Sequence, residues 1–189
     1  MSHIIGLSGS LRAKSYNSAL LRAAVALAPP ELEIEIAPID GIPVYNGDLE
    51  ERAFPEAVAD LKRRISEADG LLIATPEYNN SIPGVLKNTI DWLSRPPADI
   101  GKVFVGRPVA LMGASNGNFG TTLSQAAWLP VLRTLQMLPF FGARMLVSNA
   151  QKVFDDKGEM TDERVRERLS AFLKGYAAFL QRVGGGGRA

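Results

Sequence analysis

Short apolar runs alternate with segments of helical periodicity along the whole chain, and this alternation limits the fold more than any other feature of the sequence. Strands that alternate with helices form a parallel sheet that is covered by helices on both faces. We therefore expect an α/β fold with a doubly wound, five-stranded parallel sheet in the order 2-1-3-4-5. The predicted strands are 4–7, 32–36, 71–75, 109–113 and 143–147, with 32–36 at an edge of the sheet.

Five helices are predicted between and after these strands. Pro130 lies inside one helical pattern, and proline in a helix interior kinks or divides the helix, so we expect a kink or a break, which we place near Leu129. Thr161 is the expected N-cap of the last helix. We expect residues 1–183 to form a single domain and the glycine-rich tail 184–189 to be disordered. The predicted helices are 17–27, a helix that begins at Pro55, 84–93, 121–138 and the helix that follows Thr161.

Composition restricts the partners that the chain can have. The 21 Lys and Arg and 20 Asp and Glu residues are interspersed, so we expect neither a nucleic-acid nor a membrane partner and instead expect small molecules. The absence of cysteine excludes disulfides, thiolate metal sites and thiol nucleophiles. The sequence begins without the pattern of a signal peptide, and no apolar run approaches the ~20 residues that span a bilayer, so we expect a cytoplasmic protein.

In a doubly wound sheet a ligand lies beyond the carboxyl ends of the strands, so the loops after strands one, three and four are the candidate site. In the first loop, the hydroxyls of Ser10 and Ser15, the Asn17 amide and backbone N–H groups can converge on a phosphate. The spacing matches neither a Walker A loop nor Gly-x-Gly-x-x-Gly, so a monophosphate fits better than a dinucleotide. An ordinary helix cap explains the same residues equally well.

The second loop, 75–84, can present a flat surface with hydrogen-bonding groups to a planar heteroaromatic ring. Tyr78, Asn79 and backbone amides supply both features, and Pro76 and Pro83 restrict the loop. The alternative is a plain turn with a surface tyrosine. We expect Trp92, on the helix that follows, to be a core residue.

The third loop, 113–121, contains Gly-Ala-Ser-Asn-Gly, which matches the Gly-x-Ser-x-Gly elbow of serine hydrolases. That function is disfavoured because the one histidine, His3, lies far upstream, whereas a hydrolase histidine follows the serine along the chain. We expect His3 to be structural or exposed. The small residues of the loop instead allow the backbone to approach a flat ligand closely.

Together the three loops resemble the NADPH-dependent FMN reductase family, the flavodoxin-like group that includes chromate, quinone and azo reductases. The resemblance depends on Gly9 to Arg12 with Ser15 to Asn17, on Pro76 to Asn79 and the residues up to Trp92, and on 115–120. It implies a flavodoxin-like fold, bound FMN, NADPH or NADH as reductant, and a homodimer or homotetramer. The cofactor-binding residues it implies are Ser10, Arg12, Ser15, Tyr16, Asn17, Pro76, Glu77, Tyr78, Asn79, Ser115, Gly117 and Gly120. One departure is Thr121 to Leu123, where many relatives carry a second glycine and an arginine.

The resulting functional hypothesis is an FMN-dependent NAD(P)H oxidoreductase. Hydride passes from the nicotinamide to the flavin and on to a quinone, an azo compound, a metal oxyanion or free flavin. No catalytic residue and no metal site is predicted. The alternative is a flavodoxin-type electron carrier without nicotinamide turnover, although the nearly neutral charge favours the reductase. A protein that supplies reduced flavin to a monooxygenase would carry the same motifs, so the sequence does not separate this function from the reductase.

Overall fold

The computed structural model describes residues 1–184 and contains one parallel β-sheet. The strands run β2-β1-β3-β4-β5 across the sheet, and β6 also pairs with β4, so the predicted order is confirmed and β2 lies at an edge. The carboxyl ends of β1, β3 and β4 meet at the same edge, because Leu7 pairs with Ile73 and Ile73 with Leu111. The strands are β1 Ser2–Ser8, β2 Leu32–Ala37, β3 Gly70–Ala74, β4 Pro108–Ala114, β5 Leu138–Pro139 and β6 Met145–Val147.

Helices cover both faces of this sheet, as expected of a doubly wound fold. The core on one face includes α1 and α7, and the core on the other includes α3, α4 and α6. Two helices, α2 and α5, were not predicted, and short 3-10 helices occur at Pro97–Asp99 and Ala150–Lys152. No helix within residues 1–184 is both long enough and apolar enough to cross a membrane. The helices are α1 Tyr16–Ala26, α2 Gly47–Arg52, α3 Glu56–Glu67, α4 Gly84–Leu93, α5 Ile100–Val103, α6 Thr122–Thr134 and α7 Glu163–Gly184.

Strand side chains alternate between the two cores. Ile4 is buried against α1 and α7, whereas Ile5 is buried on the opposite face. Tyr176 of α7 is fully buried, and its hydroxyl donates to the backbone oxygens of Leu71 (2.9 Å) and Pro108 (3.2 Å) at the starts of β3 and β4. Burial raises the pKa of Tyr176, so the hydroxyl remains a neutral donor.

The predicted break of the fourth helix near Leu129 is wrong, because α6 runs without interruption through Pro130. The helix ends at Thr134 rather than at 138. Gln136 adopts a positive φ of 55°, and the N–H of Met137 bonds to the oxygen of Leu132. This is a Schellman C-terminus in which glutamine occupies the position that glycine usually takes, so the sequence lacks the usual stop residue.

The predicted fifth strand, 143–147, is only part of the edge. Its carboxyl half is β6, and β5 pairs separately with the start of β4.

The prediction that Thr161 is the N-cap of the last helix is wrong, because Asp162 caps α7 instead. The Asp162 carboxylate accepts from the Val165 N–H at 3.0 Å, while the Thr161 hydroxyl donates to the oxygen of Val153. Gly184, assigned to the disordered tail, is the last residue of α7, and 185–189 lie outside the described residues.

Candidate functional site

A cavity of about 250 Å³ lies at the carboxyl ends of β1, β3 and β4, where the three predicted loops converge. It brings together nine of the twelve residues predicted to bind cofactor. The other three, Asn79, Gly117 and Gly120, do not line it, and Ala114 and Asn116 join the lining. The nine are Ser10, Arg12, Ser15, Tyr16, Asn17, Pro76, Glu77, Tyr78 and Ser115.

The first turn of α1 faces this cavity with free hydrogen-bond donors. Ser15 is the N-cap, and its hydroxyl oxygen accepts from the Ser18 N–H at 3.2 Å. The N–H groups of Tyr16 and Asn17 precede the first intrahelical hydrogen bond and therefore have no acceptor in the helix. The helix dipole adds positive potential at the same end. The predicted helix cap is therefore present, and the phosphate site stays a prediction, for which this helix start offers free N–H donors.

Asn17 joins α1 to the end of β4. Its side-chain N–H donates to the backbone oxygen of Ala114, and its side-chain oxygen accepts from the Ala114 N–H, both at 2.9 Å. Asn17 and Ala114 are both buried. The amide that the sequence predicts as a phosphate ligand therefore fixes the distance between the first and third loops.

Arg12 places an available cation beside the cavity. Its guanidinium donates to the backbone oxygen of Lys14 at 3.1 Å and lies over the Tyr16 ring at 5.7 Å. Tyr16 in turn stacks on Phe154, with 5.9 Å between ring centroids. No carboxylate among residues 1–184 forms a salt bridge with Arg12. Its charge is therefore available to an anion.

The second loop makes a tight turn that orients Tyr78. Asn79 and Asn80 both have positive φ, at 51° and 60°, and Tyr78 exchanges two backbone hydrogen bonds with Ser81. Asparagine tolerates this left-handed conformation better than most residues. Asn79 therefore lies at the tip, while the half-exposed Tyr78 lines the cavity with its hydroxyl 3.4 Å from that of Ser10. The plain turn is present, and it also directs a tyrosine to the cavity.

Glu77 connects the second loop to α6. Its carboxylate oxygen Oε2 accepts from the N–H groups of Leu123 at 2.8 Å and Ser124 at 3.0 Å. These are free donors in the first turn of α6, because the side chain of its own N-cap, Thr121, caps no backbone N–H of the helix. Glu77 thus caps α6 from a different loop, which its sequence position did not indicate.

The third loop is held by its own serine. The Ser115 hydroxyl donates to the backbone oxygen of Gly120 at 2.6 Å, and Gly120 has a φ of 62°. A Cβ on Gly113 would lie 2.1 Å from Thr121 Oγ1, so no side chain fits there. His3 lies on β1 and pairs with Glu35 on β2 at 2.9 Å, at the opposite end of the sheet from Ser115. No histidine is therefore near Ser115, which agrees with the exclusion of a serine hydrolase.

Residues 2–152 match the family model described as NADPH-dependent FMN reductase. The chain belongs to this family. It is 44% identical over 182 residues to an NAD(P)H-dependent FMN reductase of Pseudomonas aeruginosa, with 96% of this chain and 97% of that protein covered. It is 38% identical over 173 residues to a 2-hydroxy-1,4-benzoquinone reductase of a Burkholderia species, with coverage of 92% and 93%. The solved structure of FerB, a flavoenzyme NAD(P)H:(acceptor) oxidoreductase from Paracoccus denitrificans, superposes with a TM-score of 0.87 at 32% identity, with coverage of 96% and 98%.

These findings confirm the predicted family, the flavodoxin-like fold and the assignment to the oxidoreductases that use FMN and NAD(P)H. They also favour the reductase over the electron carrier, because the relatives are named as reductases that use a nicotinamide or a quinone.

In this FMN reductase family member, the segment after β6 supports the third loop and was missed in the sequence. Asn149, at a positive φ of 49°, donates its N–H to the oxygen of Gly117, and the Ala150 N–H bonds to the oxygen of Ser115. No motif marks Asn149, because it follows a strand outside the predicted site. Ala114 and Asn116, by contrast, lie within the glycine-rich loop and could have been included.

Larger cavities, of about 350, 420 and 640 Å³, occur elsewhere among the described residues. The 640 Å³ cavity is lined by α2, α3 and residues 96–103, and its buried cation Lys62 already pairs with Asp99. This pairing lowers the pKa of Asp99, chiefly through the hydrogen bond from Lys62. Size therefore does not identify the site. The 250 Å³ cavity is the one that all three predicted loops line.

Proposed function

We propose that the cleft between the three loops binds FMN, and that the protein transfers hydride from NADPH or NADH to this flavin and on to a small acceptor. One observation carries the proposal. The free N–H groups at the start of α1 and Arg12, which forms no salt bridge within residues 1–184, adjoin the same cavity as the second and third loops. A phosphate suits the first set of groups, and a planar ring suits the loops.

The phosphate end of FMN would bind at the first loop. Ser10, Ser15 and the N–H groups of Tyr16 and Asn17 would donate hydrogen bonds, and Arg12 would supply charge. The cavity is smaller than the roughly 300–1,000 Å³ usual for ligand sites, and it is open to solvent. The ring would therefore extend beyond it, along 76–79 on one side and past Ser115, Gly117 and Gly120 on the other.

Bound FMN supplies the two-electron chemistry of the site, and the protein binds and orients the cofactor and the substrates. Gly9 and Gly113 allow the loops to approach one another closely, since a Cβ on Gly9 would lie 2.8 Å from the Pro76 ring. Asn17 and Glu77 hold the three loops in place. The side chains of the cavity include no histidine, and we assign no general acid or base among them.

The acceptors would be quinones, azo compounds, metal oxyanions or free flavin, with quinones the first to test. The open side of the cleft, beside the half-exposed Tyr78, gives a shallow surface that admits flat oxidants of different shape. The relative named as a 2-hydroxy-1,4-benzoquinone reductase supports the choice of quinones.

Residues 1–184 would act as one cytoplasmic FMN-binding domain that assembles as a homodimer or homotetramer. Apolar side chains exposed around α6 and the neighbouring sheet edge support the assembly. Phe119 is 81% and Phe141 72% exposed, and Leu123 and Leu129 are nearly half exposed. Large apolar side chains grouped on one surface are typical of protein interfaces.

Anaerobic reduction tests the function. The purified protein is reconstituted with FMN and mixed with NADPH or NADH without oxygen, and the flavin absorbance is followed before and after a benzoquinone is added. We expect bleaching by at least one nucleotide and recovery of the colour with the quinone. Bound flavin that neither nucleotide reduces would favour the electron carrier, and failure to bind FMN would contradict the whole proposal.

A further inference from the structure

The loop 75–78 is attached to α6 by two separate sets of hydrogen bonds, an exposed to partly buried set at Glu77 and a buried set at Thr75. In the first set, the Glu77 carboxylate accepts hydrogen bonds from the N–H groups of Leu123 and Ser124. The second involves the Thr75 hydroxyl, which lies 2.9 Å from that of Ser124 and accepts from the Trp128 indole N–H at 3.1 Å. Both sets lie on the first two turns of one helix.

The Thr75 hydroxyl also fixes the backbone of the loop. Its oxygen lies 3.1 Å from the backbone oxygen of Pro76. One arrangement satisfies every group: Trp128 and Ser124 donate to Thr75, and Thr75 donates its own proton to Pro76. Thr75 and Ser124 are completely buried and do not line the cavity, so neither can touch a ligand there.

We propose that Glu77 and Thr75 are positioning residues that hold the 76–79 backbone against the flavin by anchoring it to α6. The proposal rests on the proposed FMN site. Leu123 and Ser124 are consecutive first-turn residues of α6, so the negative carboxylate also meets the favourable end of the helix dipole. Glu77 would therefore serve the flavin through the backbone it fixes, and not through a contact of its carboxylate.

Two replacements separate anchoring from direct contact. Glu77→Ala removes the cap, and Glu77→Gln keeps an oxygen that can accept both N–H groups. We expect Glu77→Ala to weaken FMN binding about tenfold and Glu77→Gln by less than about threefold, because the geometry is retained in the second. Thr75→Val removes the other anchor without altering the cavity wall, and we expect it to weaken FMN binding about fivefold.

The matched control is Asp162→Ala, which removes the carboxylate cap of α7, away from the cavity. It should lower the melting temperature as a lost helix cap does and leave FMN affinity within about twofold. Ser124→Ala is a milder version of Thr75→Val in case that variant does not fold.

FMN affinity is measured by fluorescence quenching well below each melting temperature. The visible circular dichroism of bound flavin is recorded at saturating FMN. Altered spectra in Glu77→Ala and Thr75→Val, largely restored in Glu77→Gln, are the expected result. Lowered melting temperatures with unchanged FMN affinity and spectra would overturn the inference, and so would effects confined to Glu77 variants. Wild-type protein that binds no FMN would instead refute the proposed function.

Discussion

Replacing Asn17 with alanine removes the two hydrogen bonds that join α1 to the end of β4. Asn17 is 4% exposed, and Ala114, whose backbone it contacts, is 3% exposed. Alanine leaves both the N–H and the oxygen of Ala114 without a protein partner. The perturbation therefore acts on the folded apoprotein, before any cofactor is present.

The expected loss follows from those two groups. A buried polar group left without a partner costs about 1–3 kcal/mol, so the pair costs about 2–6 kcal/mol. The shorter side chain leaves room for a water molecule, which favours the lower half of that range. Alanine also has a higher helix propensity than asparagine, by up to about 0.7 kcal/mol. We expect the free energy of unfolding to fall by about 2–3 kcal/mol.

Urea denaturation of the apoprotein, followed by far-UV circular dichroism, measures this loss. The midpoint should fall while the slope of free energy against urea stays unchanged. Asn118→Ala is the matched control, because Asn118 is exposed in the third loop and its side chain makes one exposed hydrogen bond, from Asn149; it should change stability by less than about 0.5 kcal/mol. An apoprotein as stable as wild type after Asn17→Ala would refute the structural role. If that variant also bound FMN more weakly, we would infer that the Asn17 side chain is a direct ligand of the phosphate.

Three further predictions concern the loops and the core. Gly113→Ala should cost more than about 3 kcal/mol and prevent FMN binding, whereas Gly101→Ala, with open space around its Cβ, should be tolerated in the same urea and FMN titrations. Tyr176→Phe should lower the urea midpoint by the equivalent of about 1 kcal/mol, because the hydrogen bonds of the buried hydroxyl to the oxygens of Leu71 and Pro108 are lost; an unchanged midpoint would contradict this. Asp99→Asn should destabilise the protein at neutral pH. The pKa of Asp99 is lowered from its ordinary value of 3.8 in the folded state. The ionised carboxylate therefore contributes its full stabilisation of the fold above pH 3.8, and this stabilisation is lost as the pH falls through the lowered pKa. The stability difference between wild type and Asp99→Asn should therefore shrink in acid, and a difference that stays constant from pH 7 to about pH 3 would contradict the pairing with Lys62.

The central strands β1, β3 and β4 were predictable because they are largely buried on both faces and therefore appear as apolar runs. The run around Ile5 and the run 71–75 needed no other information, and the alternation with helices then set the strand order. The position of the candidate site followed from that order, since ligands bind beyond the carboxyl ends of such strands.

The errors arose where a tertiary contact or an uncommon residue replaced the usual local signal. Gln136 ends α6 in a conformation that glycine normally provides, and Pro130 is accommodated within the helix. The cap of α6 comes from Glu77, 46 residues from Leu123, and no local pattern can reveal a cap supplied by another loop. The Asn17 amide likewise binds Ala114, which lies 97 residues away.

A structure of the protein with bound FMN tests the central claim most directly. The phosphate should lie at the start of α1, with its oxygens about 2.7–3.2 Å from the N–H groups of Tyr16 and Asn17, and the ring should lie between 76–79 and 115–120. A phosphate held elsewhere, for example beside Lys62 in the 640 Å³ cavity, would contradict the claim.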